Sequence, residues 1–219
     1  MVALLERTFW WIHITGILVF LNYLYFSKHL HILLAFPNTY FADLNPKGQF
    51  DNLASVTAEV KLMMDPNADP YATPVVDENA VPSKFGASDV QDLNWVQLLN
   101  AYTCTECGRC TSSCPANQTG KKLSPRKIMM DTRDRLQEVG KNIDANKGVF
   151  VPDNKSLLND YITTEELWAC TSCNACVEEC PVNISPLSII MDMRRYLVME
   201  QSAAPMSLNA MMTNIENNG

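Results

Sequence analysis

The chain is poor in basic side chains: Lys and Arg number 17 against 24 Asp and Glu, a formal charge of −7 over 219 residues. That balance excludes the basic face on which nucleic-acid binders depend. Histidine is scarce too, with only His13, His29 and His31, all near the N-terminus. No segment shows sustained strand alternation, which leaves helices as the building material. No cysteine lies outside two short runs, so none of the eight remains for a separate disulfide framework. From Thr8 to Ser27 there is no Asp, Glu, Lys or Arg, and His13 is the one side chain there that titrates near neutral pH. What is present is ordinary for a folded protein, 47% hydrophobic and 19% charged, which excludes disorder throughout. The length allows one domain, or a smaller domain plus an anchor.

The uncharged stretch is long enough to cross a bilayer core as a helix. Trp10 and Trp11 near one end, and Tyr23 and Tyr25 near the other, fit interfacial positions. A signal peptide is the competing reading. Glu6 and Arg7 stand where a basic start would, and no small-residue cleavage site precedes Pro37, so residues 1–36 read as a retained transmembrane helix. Its flanking charges, Glu6/Arg7 and Lys28, are too balanced to orient it. Residues 37–87 carry Pro37, Pro46, Pro66, Pro70, Pro74 and Pro82 and read as a linker. One helix survives in it, around Asn52 to Met64, ended by Asp65-Pro66.

Residues 88–202 read as a mostly α domain, followed by a tail over 203–219. Ser88 with Gln91 predicts a capping box opening a helix toward Tyr102, and Thr163 with Glu166 predicts another before Trp168. Ser124-Pro125 and Ser185-Pro186 predict two further helix starts, and Gly140 a stop for the first of them. The domain is duplicated. CTECGRCTSSCPAN from Cys104 parallels CTSCNACVEECPVN from Cys170, and SPRKIMMDTRDRL from Ser124 parallels SPLSIIMDMRRYL from Ser185. One short insertion, residues 120–123, separates the copies in length. Such duplication predicts two equivalent units about a pseudo-twofold axis.

Both copies space their cysteines as Cys-x2-Cys-x2-Cys-x3-Cys-Pro. Three thiolates two residues apart wrap one face of an iron–sulfur cubane, and the fourth, before Pro, points to the other cubane of a two-cluster ferredoxin. This predicts one [4Fe–4S] cluster on Cys104, Cys107, Cys110 and Cys180, and a second on Cys170, Cys173, Cys176 and Cys114. Zinc would use two Cys-x2-Cys knuckles for four ligands, without the third cysteine two residues on. Fully ligated cubanes relay electrons and leave no open position for bond chemistry, so the chain holds no catalytic residue of its own. Arg109 in the first loop, against Glu178 and Glu179 in the second, predicts the higher potential for the first cluster. Tyr102 and Trp168, each two residues before a run, read as packing that shields the clusters. Met129, Met130, Met191 and Met193 read as core filling. Arg133 and Arg194 recur at matching positions and read as helix-surface residues.

On one continuous helix, His13 and His31 are 18 residues apart and share a face, about 27 Å apart along the axis, with His29 nearly opposite. Two such ligands suit stacked b-type haems whose other axial ligands come from another helix. The alternative is a satisfied interior His13 and interfacial His29 and His31.

The runs YTCTECGRCTSSCPAN and WACTSCNACVEECPVN resemble those of heterodisulfide-reductase-type iron–sulfur oxidoreductases and the α-helical dicluster domain of succinate dehydrogenase iron–sulfur subunits. WWIHITGILVFLNYLYFSKHLHILLAFPN resembles the last transmembrane helix of a nitrate-reductase-gamma-type cytochrome b domain. The combined order resembles bacterial membrane (Fe–S)-binding proteins in which these two parts are fused. The resemblance implies haem b on His13 and His31. It also implies a membrane-anchored electron-transfer component between a partner's redox centre, two [4Fe–4S] clusters and membrane haem or quinone. The implied partners are further membrane helices or a cytochrome b-like subunit, a cysteine-rich or flavin-containing redox subunit, and the quinone pool, with the clusters on the cytoplasmic side of the cell membrane. Two departures stand out. The family's cytochrome domain has several helices where this chain offers one, which implies a fragment or a split gene. The family's paired adjacent cysteines are missing, so its heterodisulfide site is absent. Two other readings remain: a ferredoxin-like subunit of a flavin dehydrogenase with the helix only an anchor, and a cluster-containing scaffold or sensor.

Overall fold

A computed structural model of the chain describes residues 2–46, 49–65 and 84–218. Among them the regular elements are helices, and the one bridge between extended residues is the isolated Leu158–Ile162 pair. Along the chain run α1 (Val2–Phe26), α2 (His31–Tyr40), α3 (Ala54–Met64), α4 (Trp95–Thr103), α5 (Arg109–Ser112) and α6 (Pro115–Gln118). They are followed by α7 (Pro125–Ala145), the short turn α8 (Leu157–Asp160), α9 (Thr164–Ala169), α10 (Ala175–Glu178), α11 (Pro186–Met199) and α12 (Met206–Asn218). Pro66, Pro70, Pro74 and Pro82, part of the expected linker, lie outside the described residues.

Helix α1 is long and apolar enough to cross a membrane, and its apolar window buries nothing against the rest of the chain. Phe9, Trp10, Trp11, Leu18, Val19 and Leu21 are all exposed around it. A helix apolar on every side needs an apolar surround rather than water.

The expectation of one continuous helix from His13 through His31 is not met. At Ser27 the backbone turns extended, and the Ser27 hydroxyl accepts from the His29 N–H at 3.2 Å, capping a short 3-10 turn over Lys28–Leu30. Local side-chain bonding of this kind competes with the helix ladder. The chain folds back there, bringing the His29 ring within 6.3 Å of both the Phe20 and His31 ring centroids. His13 and His31 therefore share no continuous helical face, and His29 and His31 are neighbours rather than opposed.

The expected boundary at residue 36 also moves. Helix α2 continues through Pro37 to Tyr40 and packs against α4. Buried Asn38 donates through Nδ2 to the Val182 carbonyl at 2.7 Å, and the Phe41 ring meets Trp95 edge-on at 4.7 Å. The start of the linker is thus docked on the globular part. The helix expected around 52–64 is present as α3.

The cores of the two copies merge. Leu123, Ile128 and Met129 from the first meet Leu167, Ile189, Ile190 and Met193 from the second, all 2% exposed or less. Equivalent helices pack in pairs, α5 on α10 and α7 on α11, as a pseudo-twofold arrangement requires. Ser124, Ser185 and Thr163 cap α7, α11 and α9 as expected, Thr163 in a full capping box with Glu166. Two expectations shift. Asp89 with Asp92 boxes a short 3-10 turn, and Asn94 with Gln97 boxes α4, in place of Ser88 with Gln91. Gly140 does not stop α7, which runs on to Ala145 and is capped by the Asn146 N–H bonding the Asn142 and Ile143 carbonyls.

An N-terminal strap over residues 84–93 is locked down at two points. Gly86 has φ +76°, and a Cβ there would fall on the Asp192 carbonyl oxygen of α11. Arg135 of α7, fully buried, bonds Asp89 at 2.7 Å, Asp153 at 2.5 Å and the Lys155 carbonyl at 2.8 Å. Its two carboxylates hold the guanidinium well above the usual arginine range, and Asp153 is held down at about 2 by the same contact.

Candidate metal centre

The two cysteine runs are wound the same way. Cys104 ends α4 and Cys170 ends α9, so each preceding helix aims its C-terminus at its loop. Two residues on, Glu106 and Ser172 have φ of 58° and 55°; four residues on, Gly108 and Asn174 have 82° and 61°. Left-handed backbone at both points curls the loop so that its three thiols face one side. Gly108 and Asn174 suit that conformation, whereas Glu106 and Ser172 carry it at a cost of about 1 kcal/mol or more each. Cys110 and Cys176 then sit in the short helices α5 and α10. Cys114 and Cys180 follow, each before its Pro, and Cys114 starts α6.

A cavity of about 30 Å³ is lined by Cys104, Cys107, Cys110 and Cys180 together with Cys176. The thiol of Cys180, from the second run, lies near enough to Cys104 and Cys110 for their charges to disfavour one another. Cys114, from the first run, stands in the same relation to Cys170 and Cys176. The fourth cysteine of each run therefore reaches across to the other run's loop. The two sets adjoin through Cys110 and Cys176, where α5 packs on α10.

The donor set suits a multinuclear cation. Burial raises the thiols of Cys104, Cys110 and Cys170, and that of Cys176 to about 12, with neighbouring cysteine charges adding to the shift. Thiols crowded this way deprotonate together only against positive charge, which coordinated metal supplies. Among the described residues no three His, Cys, Asp or Glu side chains converge as ligands of a single ion. The thiols of the first set instead line one shared cavity. Cys107 is different: exposed, it is lowered chiefly by the Arg109 backbone N–H. Further N–H donors reach sulfur from Ser172 to Cys170 at 3.4 Å and from Ile184 to Cys180 at 3.3 Å.

Arg109 and Arg126 line the first cavity as exposed side chains, and Glu178 and Glu179 are exposed at the second loop. Met129 and Met193 are core, as expected, and Met129 also lines the cavity. Trp168 is half-buried against the core. Arg133 and Arg194, read from the sequence as helix-surface residues, are half-buried against the cysteine loops. Arg133 bonds Glu106 at 2.6 Å. Arg194 lies over the Trp168 ring, 5.0 Å from its centroid, and bonds the second loop. Their recurrence at one repeat position was the signal, because matching positions in a pseudo-twofold pair of units reach matching places. His13, His29 and His31 are not among the residues lining the thiol cavity.

Residues 103–184 match the family model described as a 4Fe-4S dicluster domain, a span that contains all eight cysteines. Among curated proteins, the chain is 32% identical over 239 aligned positions to the "Probable iron-sulfur-binding oxidoreductase FadF" of Bacillus subtilis, covering 96% of this chain and 31% of that one. It is 30% identical to the "EtfAB:quinone oxidoreductase" of Syntrophomonas wolfei, covering 97% of this chain and 29% of that protein. It is 34% identical to one polypeptide of the ferredoxin/F(420)H(2)-dependent CoB-CoM heterodisulfide reductase of Methanosarcina acetivorans, over 49% of this chain and 52% of that one. The chain thus spans about a third of the length of the first two relatives and half of the third. No solved structure matches it. The similarity is to iron–sulfur oxidoreductases and to heterodisulfide reductase polypeptides, and the dicluster domain is one for iron–sulfur clusters. The matched family model covers residues 103–184 and does not extend to α1.

Proposed function

We propose that the chain is a membrane-anchored electron-transfer unit of an iron–sulfur oxidoreductase, relaying single electrons between a partner's redox centre and an acceptor in the membrane. The observation that carries this reading is the crossing of the fourth cysteines between two loops of identical winding. Cys104, Cys107, Cys110 and Cys180 would hold one [4Fe–4S] cluster, and Cys170, Cys173, Cys176 and Cys114 the other. When bound, such clusters supply one-electron exchange and no bond chemistry. The protein's part is to fix the thiols, exclude water with the merged core, and bring Cys107 and Cys173, the exposed ligands of each loop, toward the surface where partners dock.

In this reading the dicluster domain occupies residues 88–202, residues 203–219 form a tail, and α1 is the anchor, with the clusters on the cytoplasmic side. The partner contributes a flavin or a cysteine-rich centre. The membrane acceptor is quinone or haem, quinone being favoured by the name of the Syntrophomonas relative. Haem on His13 and His31 would need a cytochrome b-like partner to supply further ligands, and the turn at Ser27 removes the shared helical face that first suggested the pair. The alternative reading, a ferredoxin-like subunit of a flavin dehydrogenase, keeps the same clusters and makes α1 an anchor only.

The test is anaerobic purification of the full chain with its membrane partners, followed by iron and sulfide analysis and a reduced-minus-oxidised visible spectrum. About eight iron and about eight acid-labile sulfide atoms per chain are expected. Sharp b-type bands lost in His13→Ala would place haem beside α1, and broad bleaching alone would favour the ferredoxin-like alternative. Freshly prepared protein without iron and sulfide would overturn the electron-transfer reading.

A further inference from the structure

The two copies place an arginine at the same repeat position, yet the structure gives each a different electrostatic setting. In the first copy the Arg133 guanidinium pairs with Glu106 at 2.6 Å and approaches Asp134 at 3.7 Å. Its charge is cancelled where it stands. In the second copy Ser172 occupies the position of Glu106, and among the described residues Arg194 has no such partner. Every atom that Arg194 bonds is uncharged: the Leu167 carbonyl at 2.6 Å and 3.0 Å, the Cys170 carbonyl at 2.5 Å, and the Ser172 hydroxyl at 3.2 Å. Among the described residues, the one titratable group that bears on it is the Cys170 thiol. The Trp168 face covers it at 5.0 Å.

These bonds do two things. They fix Cys170 and the left-handed Ser172, the two residues from which the second loop is wound. They also hold a desolvated positive charge against that loop. A charge partly withdrawn from water, with no counter-ion among the described residues, is screened less than exposed Arg109 and Arg126 at the first cavity.

We propose that Arg194 is a positioning residue that winds the second cysteine loop and raises the reduction potential of the cluster bound there. This rests on the electron-transfer reading above. One-electron reduction adds one negative charge to a cluster already made negative by four thiolates, with the electron coming from a low-potential donor and no proton taken up. A nearby uncancelled cation stabilises the reduced form more than the oxidised one, so the potential rises. The Arg133–Glu106 pair supplies almost none of this at the first cluster. The pair of loops is therefore made unequal by one substitution, Glu to Ser, at the position each arginine reaches.

The experiment is an EPR-monitored redox titration of the detergent-solubilised, anaerobically prepared full chain, with dithionite as donor. Wild type must show two cubane signals; their absence overturns the electron-transfer reading itself and not this proposal alone. Arg194→Met is expected to shift one midpoint to more negative potential, that of the cluster lost in Cys114→Ala, and to leave the other in place. Glu106→Gln is expected to shift the other midpoint upward by uncovering Arg133. Arg194→Lys, which keeps the charge and loses the guanidinium fork, is expected to stay nearer wild type than Arg194→Met. If Arg194→Met fails to hold its cluster, Arg194→Lys and Glu106→Gln decide. A Lys variant whose midpoint falls, or a Glu106→Gln variant whose first cluster does not move, overturns the proposal, as does an Arg194→Met protein with both midpoints unchanged or equally shifted.

Discussion

Cys180→Ala tests the crossed arrangement directly, because Cys180 belongs to the second run in sequence and to the first loop in space. Its thiol closes the cavity formed by Cys104, Cys107 and Cys110 and accepts from the Ile184 N–H at 3.3 Å. Truncation removes one ligand and one N–H···S bond, while Ile184 beside it stays 3% exposed in the core. The fold should therefore survive, and the loss should fall on one cluster. Iron is expected to drop from about eight toward about four per chain, with the four-iron signal of one cluster gone. A remnant held by three thiolates would appear instead as a signal in the oxidised protein. The decisive comparison is between variants. Cys180→Ala should share its EPR phenotype with Cys104→Ala, and Cys114→Ala should share its phenotype with Cys170→Ala. If Cys180→Ala instead groups with Cys170→Ala, each run ligates its own cluster and the reasoning from the thiol neighbourhoods fails.

Three further outcomes are expected from the framework around the loops. Arg135→Met strands the Asp89 and Asp153 carboxylates that meet at its buried guanidinium, and should destabilise the domain by about 3–5 kcal/mol, read as a lower denaturant midpoint for cluster bleaching. Gly86→Ala combines a left-handed backbone with overlap on the Asp192 carbonyl and should cost about 2 kcal/mol or more, seen in the same assay; an unchanged midpoint would show that the strap is not held against α11. Tyr161 is raised to about 12 by burial and by its 2.6 Å bond to Glu138. Because the folded value exceeds the unfolded one of about 10, its stabilisation is complete below that pH and is lost as pH rises through about 12. Ultraviolet titration should lose a late-titrating tyrosine, near pH 12, in Tyr161→Phe.

Where the sequence was legible, the local signal and the tertiary demand agreed. The cysteine spacing, the duplication and the Ser-Pro starts of α7 and α11 each have one structural solution, and the Thr163 box falls at an uncontested helix start. Elsewhere competing signals lay within a few residues. Residues 88–97 hold several overlapping side chains able to cap, and packing of the strap selected Asp89 and Asn94 over Ser88. The turn at Ser27 carries neither Gly nor Pro, so periodicity ran through it unmarked, and the histidine geometry built on that periodicity failed with it. Pro37 looked like a boundary, but α2 tolerates it and docks on α4, a tertiary contact that composition does not reveal.

That docking bears on how the anchor and the clusters are coupled. Asn38 reaches the Val182 carbonyl, and Val182 lines the first cavity two residues beyond Cys180. The same Asn38 has its side-chain oxygen buried without a partner among the described residues, a cost of about 1–3 kcal/mol that the contact carries in place. Burial, and to a lesser degree Tyr25 near the end of α1, raises the Tyr102 phenol, two residues before Cys104. Both contacts, one from α2 and one from the end of α1, thus lead to the first loop and its cross-reaching cysteine, while Arg194 lies against the second. The duplication supplies two equivalent loops, and their surroundings differ. A relay with direction needs its two stations to differ, and here the differences lie in residues other than the cysteines, whose spacing is the same in both copies.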